Sequence, residues 1–163
     1  MVTTTAYAIA AQVPDPELPQ LTLEDLGILR GVDVDGDTVT ATITPTYSGC
    51  PAMREISEDL THRLRRAGYR DVRVRQQLTP AWTSDWITEP GRAKLTAAGI
   101  APPHAAPTRS GRVPLTLTSR ARIACPYCGS QQTTQTAQFS GTACKALHRC
   151  SACHEPFESV KAI

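Results

Sequence analysis

Two short cysteine pairs constrain this chain more than anything else in it. Cys125-Pro126-Tyr127-Cys128 and Cys150-Ser151-Ala152-Cys153 are separated by the 21 residues Gly129 to Arg149. Two such knuckles supply four thiolates, the donor set a tetrahedral Zn²⁺ prefers. The interval is slightly longer than usual for the pattern, and a hairpin with an extra turn accommodates it. Pro126 and Gly129 suit a tight knuckle turn. Thr133 to Phe139, Ala146 to Arg149 and Pro156 to Val160 are expected as three short strands, which makes this region a small all-β zinc ribbon. A segment of this size, poor in large apolar side chains, needs a staple, and a metal supplies on the order of 10 kcal/mol in zinc-finger peptides. The same thiolates would suit iron or a cluster, and two disulfides are the remaining alternative. His148 and His154 flank the second knuckle and are weighed as substitute ligands. Cys144 lies outside the knuckles and is expected as a buried small hydrophobe.

Charge divides the chain at about the same place. Residues 1–100 carry 10 Lys+Arg against 13 Asp+Glu, a formal −3, and residues 101–163 carry 7 against 2, a formal +5. Pro102, Pro103, Pro107, Gly111 and Pro114 punctuate the boundary and block regular structure. The expected organisation is a first domain over 13–100, a Pro-rich linker over 101–115 and the ribbon over 116–163. No apolar run approaches the roughly 18 residues of a membrane span. Met1 to Gln12 does not read as a signal peptide, so a cytoplasmic location is expected. Cysteines in such a compartment read as ligands or thiols before disulfides.

The first domain reads as α+β. Leu21 to Leu29 is expected as a short helix, with Thr22 and Asp25 spaced as a partial capping box. Val32 and Val34, then Val39, Ala41 and Ile43, alternate about Asp35-Gly36, a hairpin signal. Met53, Ile56, Leu60, Leu64 and Ala67 form one helical stripe, closed by Gly68. Val72 and Val74 open a third strand. The order α-β-β-α-β implies a small mixed sheet with its helices on one face. Trp82 and Trp86 are expected to pack, with a protein-binding patch as the other reading.

Cys50 stands just before the apolar helix, in Thr44-Pro45-Thr46-Tyr47-Ser48-Gly49-Cys50-Pro51. Pro51 fits the first helical turn, which makes Cys50 a candidate N-cap near free N–H donors and positive partial charge. Its thiol is therefore expected to ionise more readily than a free cysteine. The competing reading is a small residue filling a strand-to-helix junction. Asp15-Pro16-Glu17-Leu18-Pro19 offers two carboxylates in a proline-stiffened loop.

These motifs together resemble a known family. Asp15-Pro16-Glu17, Asp25-Leu26-Gly27, Thr44-Pro45-Thr46 and Gly49-Cys50-Pro51 resemble the iron–sulfur assembly domain of SufT-like proteins. Trp82, Asp85-Trp86, Gly91-Arg92, Gly99-Ile100-Ala101-Pro102-Pro103 and the ribbon, with Gly141-Thr142-Ala143-Cys144-Lys145-Ala146-Leu147, are similar to the phenylacetate-degradation protein D family. The likeness spans about residues 13–163 and assigns no role to the first 12 residues. It implies an accessory subunit of the phenylacetyl-CoA ring-epoxidase system of aerobic phenylacetate catabolism. In that system a di-iron oxygenase forms the ring epoxide and a reductase carrying flavin and an iron–sulfur cluster supplies electrons. The resemblance implies partners among these oxygenase and reductase subunits. It also implies a role in iron or cluster maturation, with Cys50, Asp15, Glu17 and Thr46 at a site of transient Fe or Fe–S contact. Cys125, Cys128, Cys150 and Cys153 would be the structural zinc ligands.

The residues agree with a non-catalytic component of a multicomponent oxygenase. No Glu-x-x-His pair of the di-iron kind is present, and no Gly-rich dinucleotide fingerprint. A purely structural docking subunit is the alternative. A thiol enzyme built on Cys50 is disfavoured, because His62 lies about 18 Å along the helix. Nucleic-acid binding by the +5 half is disfavoured too, because thiolates bound to metal reduce that charge and no aromatic–basic stripe is present.

Overall fold

The computed structural model describes residues 2–47, 49–105 and 122–163. They divide into two compact units, Met1–Trp82 with Trp86–Lys94, and Thr83–Asp85 with Leu95–Ile163.

The first unit opens with a helix that the sequence did not announce. α1 (Val2–Ala11) has no acidic residue in its first turn and no basic residue in its last, so the usual terminal signals are missing. Ala6 and Ala10 are nonetheless buried, and their four-residue spacing sets them on one face. The expected helix over 21–29 is absent; residues 23–27 are turns. The capping box itself forms. Asp25 Oδ2 accepts the Thr22 N–H at 2.9 Å, and Thr22 Oγ1 accepts the Asp25 N–H at 3.2 Å. One helical bond follows, from Leu26 N–H to Thr22 O, and the turn then ends at Gly27 with φ +66°. Leu21, Leu23, Leu26 and Ile28 are all buried, a spacing that falls on two opposite sides of a helix and makes no single apolar face. A Cβ on Gly27 would lie 2.7 Å from both Cβ and the carbonyl oxygen of Trp86, so the close approach needs glycine.

The order α-β-β-α-β therefore holds, with α1 as its first helix. β1 (Leu29–Asp35) and β2 (Thr38–Ile43) form the expected antiparallel hairpin, and β3 (Asp71–Gln76) pairs parallel to β2. The parallel pairing requires a crossover, and α2 (Ala52–Arg66) provides it. Met53, Ile56, Leu60 and Leu64 are buried along α2. Val39, Ala41 and Ile43 are buried in the central strand, while the alternate Thr38, Thr40 and Thr42 are half-buried. α1 touches both β1 and α2, and α2 touches β3, so both helices lie on one face of the sheet. Trp82 is buried and its indole N–H donates to Leu26 O at 2.9 Å. Arg30 lies over the Trp86 ring at 3.8 Å. Both tryptophans pack within this unit.

Asp25 also receives the ammonium of Lys94, from α3 (Glu89–Ala97), at 2.5 Å. Burial opposes ionisation of Asp25, but the Lys94 and Thr22 bonds outweigh it and hold its carboxyl below the ordinary 3.8. A carboxyl lowered by folding adds stability that is complete above its ordinary value and disappears as pH falls through the lower folded value. Lys94→Met is expected to cost about 1–3 kcal/mol at pH 7, with the difference from the unsubstituted protein closing below pH 4. Urea unfolding at pH 7 and pH 3 checks this, and an equal loss at both would contradict it.

In the second unit, β4 (Ile100–Ala101), β5 (Thr133–Ala137), β6 (Lys145–Cys150) and β7 (Pro156–Val160) form one sheet in the order β4-β7-β6-β5. β5, β6 and β7 are the three expected strands, joined antiparallel. Ala101, expected to begin the linker, pairs instead with Ser159 in a parallel bridge to β7. Residues 102–105 form no helix or strand. The remainder of the expected linker and the ribbon's first residues, 106–121, lie outside the described residues. No helix among the described residues is long and apolar enough to cross a membrane.

Candidate metal centre and candidate thiol site

Backbone turns build the cage at the end of the ribbon sheet. In each knuckle, the residue after the second cysteine takes left-handed backbone, Gly129 at φ +72° and His154 at φ +65°. In the first, Gly129 N–H closes on Cys125 O at 2.9 Å and Cys125 N–H bonds Ser130 O at 3.0 Å. In the second, Cys150 N–H bonds Glu155 O, and Ala152 N–H points at Cys150 Sγ at 3.4 Å. His154 therefore serves the turn's conformation, which asparagine, aspartate and histidine adopt more readily than other side chains.

The four sulfurs converge. Cys125, Cys128, Cys150 and Cys153 place their Sγ atoms within 4.8 Å of one another. Cys125 to Cys153 is 3.7 Å and Cys128 to Cys150 is 3.6 Å. A tetrahedral ion with metal–sulfur bonds of about 2.3 Å sets its sulfurs about 3.8 Å apart, so the cage fits. A disulfide needs about 2.05 Å, and none joins any of the six cysteines. Cys125 and Cys150 are buried with Phe157 and Ala101 behind them, while Cys128 faces out.

Without an ion the sulfurs oppose one another. N–H bonds from Cys153 and Ala152 overcome desolvation and lower Cys150 to about 6. At Cys153 the Glu155 N–H pulls downward, but desolvation and the neighbouring sulfurs win and push it up to about 12. A dication removes that conflict by taking all four as thiolates.

His148 is not a ligand. Its Nε2 shares a 2.9 Å bond with Ser159 Oγ, and its ring stacks on Phe157. Cys144 stands outside the cage and is half-buried, not fully buried as expected. Its sulfur lies 3.1 Å from the Thr142 hydroxyl.

Cys50 occupies a different setting, in the loop between β2 and α2. The N-cap of α2 is Pro51, one residue later than expected. The thiol is half-buried and receives the Ala52 N–H, with a bond to the Tyr47 side chain. The expected easy ionisation is not found. Burial raises the thiol above 9.0, the Ala52 N–H and Tyr47 act against this, and the charges of Glu17 and Asp15 raise it further. The helix start is present, but desolvation and two carboxylates outweigh it.

Asp15 is held by its own loop. Its Oδ1 accepts the N–H groups of Glu17 at 2.9 Å and Leu18 at 2.8 Å, and the loop closes through a bridge between Pro14 and Thr22. Burial raises the Asp15 carboxyl despite these bonds, and Glu17 and Glu55 raise it again. The structure thus brings Asp15, Glu17, Glu55 and Cys50 into one electrostatic neighbourhood. Glu55 and Tyr47 were missed; both lie within five residues of Cys50, and proximity in sequence was the available signal. Thr46 is half-buried in the same loop, with no hydrogen bond to this group among the described residues. Thr44, at the head of the loop, is 1 % exposed, and its hydroxyl lacks a partner among the described residues. The acids and Cys50 do not converge as a set of ligand atoms; among the described residues only the four cage cysteines do so.

This geometry gives Cys50 a protonated resting thiol. Alkylation by iodoacetamide at pH 8 is expected to be slower than for a free cysteine, and Glu17→Gln is expected to accelerate it. Mass-spectrometric rates at Cys50 check this; a Glu17→Gln rate equal to or below that of the unsubstituted protein would contradict it.

Comparisons with known proteins agree with both halves. Residues 110–161 match the PaaD zinc beta ribbon domain, and residues 7–75 match the iron–sulfur cluster assembly protein domain. A protein of Escherichia coli (strain K12), named as a subunit of the 1,2-phenylacetyl-CoA epoxidase, is 41% identical over 157 residues, 96% of this chain and 91% of that protein. Among solved structures, a domain of unknown function, DUF59, from Bacillus anthracis shares 25% identity at a TM-score of 0.53. The match covers 57% of this chain and 90% of that one.

Proposed function

The chain belongs to the PaaD family, and from that premise we propose that it assists iron or iron–sulfur maturation of a phenylacetyl-CoA ring epoxidase, as an accessory subunit. The observation that carries this reading is the contrast between its two sulfur sites. The ribbon cage is closed by four cysteines and fits a resident zinc ion that serves the fold. Cys50 is a single half-buried thiol beside carboxylates, with too few convergent donors to retain an ion. Iron or a cluster at Cys50 is cargo. Thiolate and carboxylate donors both suit iron, and an incoming cation would offset the Asp15 and Glu17 charges that keep the Cys50 proton in place. Release needs an unsaturated site, and one protein sulfur meets that need. The clients would be the oxygenase or reductase subunits of the epoxidase.

The test is Cys50→Ser in a host growing on phenylacetate, followed by iron content and activity of the purified epoxidase. Both are expected to fall severalfold while the ribbon keeps its metal. Unchanged iron and activity, with the protein bound stoichiometrically to the epoxidase, would overturn the carrier role and favour a structural docking subunit.

A further inference from the structure

The ribbon sheet has a second feature that neither the metal nor Cys50 uses. Alternation along β6 and β7 sends His148 and Ser159 to one face, while Glu158 on the other face takes the Lys145 ammonium at 2.8 Å. The first face borders a cavity of about 630 Å³. Among the described residues its titratable lining groups are His104, Arg122, His148 and Lys161, with no aspartate or glutamate. The floor is polar and fixed. His148 and Ser159 are 6% and 1% exposed, and their mutual bond uses His148 Nε2, which leaves Nδ1 for a ligand. Gln135 lines the edge from β5, its amide already donating to Ala137 O at 3.3 Å. Lys161 is positioned by the Ala143 carbonyl at 2.7 Å and the Phe139 ring at 3.9 Å.

We propose that this face of the ribbon binds a nucleotide-sized organic phosphate. The volume is within the range of small-molecule sites, about 300–1,000 Å³, and far exceeds a bare inorganic anion. Arginine and lysine at separate points suit a ligand with more than one phosphate oxygen cluster. The uncharged donors and acceptors of the floor suit a sugar or base. A nucleoside diphosphate and the phosphoadenosine end of coenzyme A share this chemistry.

The experiment titrates ADP, coenzyme A, inorganic phosphate and adenosine into the metal-loaded full chain, by calorimetry and amide NMR. ADP and coenzyme A are expected to bind with micromolar affinity, with shifts at Gln135, His148 and Ser159. The exposed Arg122→Glu is expected to weaken both at least about tenfold, the loss of one charge-assisted bond. Gln135→Ala is expected to weaken them less. Metal content and NMR dispersion of each variant confirm its fold. Equal affinities assign the nucleotide end as the ligand; tighter coenzyme A adds recognition of its pantetheine arm. Adenosine or inorganic phosphate binding as tightly as ADP, shifts at the α2 arginines in place of the cavity, or no binding at millimolar ligand would each overturn the proposal.

Discussion

Cys150→Ser is expected to abolish metal retention and unfold the ribbon sheet. Cys150 is fully buried, its sulfur is one corner of the cage, and its backbone pairs with Thr133 at the end of β6. Among the described residues the buried cluster at the cage is, besides Cys150, Ala101, Cys125 and Phe157, with Ile123 and Cys153 packed against it. So small an apolar cluster does not hold four short strands together. The metal provides most of the folding free energy, on the order of 10 kcal/mol, and losing one of four thiolates forfeits much of it. Elemental analysis and loss of strand signal in circular dichroism check this. Cys144→Ser is the matched control: Cys144 is outside the cage, and its substitution is expected to keep full metal. A ribbon that stays folded and metal-bound in Cys150→Ser would contradict the account.

Leu60→Ala is expected to cost about 2–5 kcal/mol. Leu60 is fully buried in the middle of the α2 stripe. The first unit has a single sheet with helices on one face, so a cavity there removes contacts that no second layer replaces. For a unit of this size, each kcal/mol shifts the melting temperature by about 4–8 °C, and a fall of more than about 8 °C is expected. The exposed Arg54→Ala, which removes the solvent-screened Arg54–Glu58 pair, is expected to leave the melting temperature nearly unchanged. Calorimetry distinguishes the two, and equal small shifts would mean that the stripe is not the core.

The sequence revealed those elements whose signal is local. The β1–β2 hairpin, the α2 stripe and both knuckles each rest on periodicity or turn chemistry within about 15 residues. The helix over 21–29 failed because Thr22 and Asp25 form a real capping box with nothing helical to cap: Leu21, Leu23, Leu26 and Ile28 would fall on opposite sides of a helix, yet all are buried. α1 was missed for the converse reason. Its stability comes from Ala6 and Ala10 against the sheet, a tertiary contact that no cap or charge pattern announces. At Cys50 the helix start was read correctly to within one residue. The direction of its ionisation was not, because burial and the charges of Asp15 and Glu17 arrive from a loop more than thirty residues away.

The decisive measurement is metal stoichiometry after exhaustive chelation, then after anaerobic Fe(II) loading, in the unsubstituted chain, Cys50→Ser and Cys125→Ser. One chelator-resistant metal ion is expected in the first two and none in Cys125→Ser. Additional iron, removable by chelator, is expected in the unsubstituted chain and not in Cys50→Ser. A chelator-resistant ion that disappears with Cys50→Ser, or one that survives Cys125→Ser, would contradict the division into a closed structural cage and an open carrier thiol.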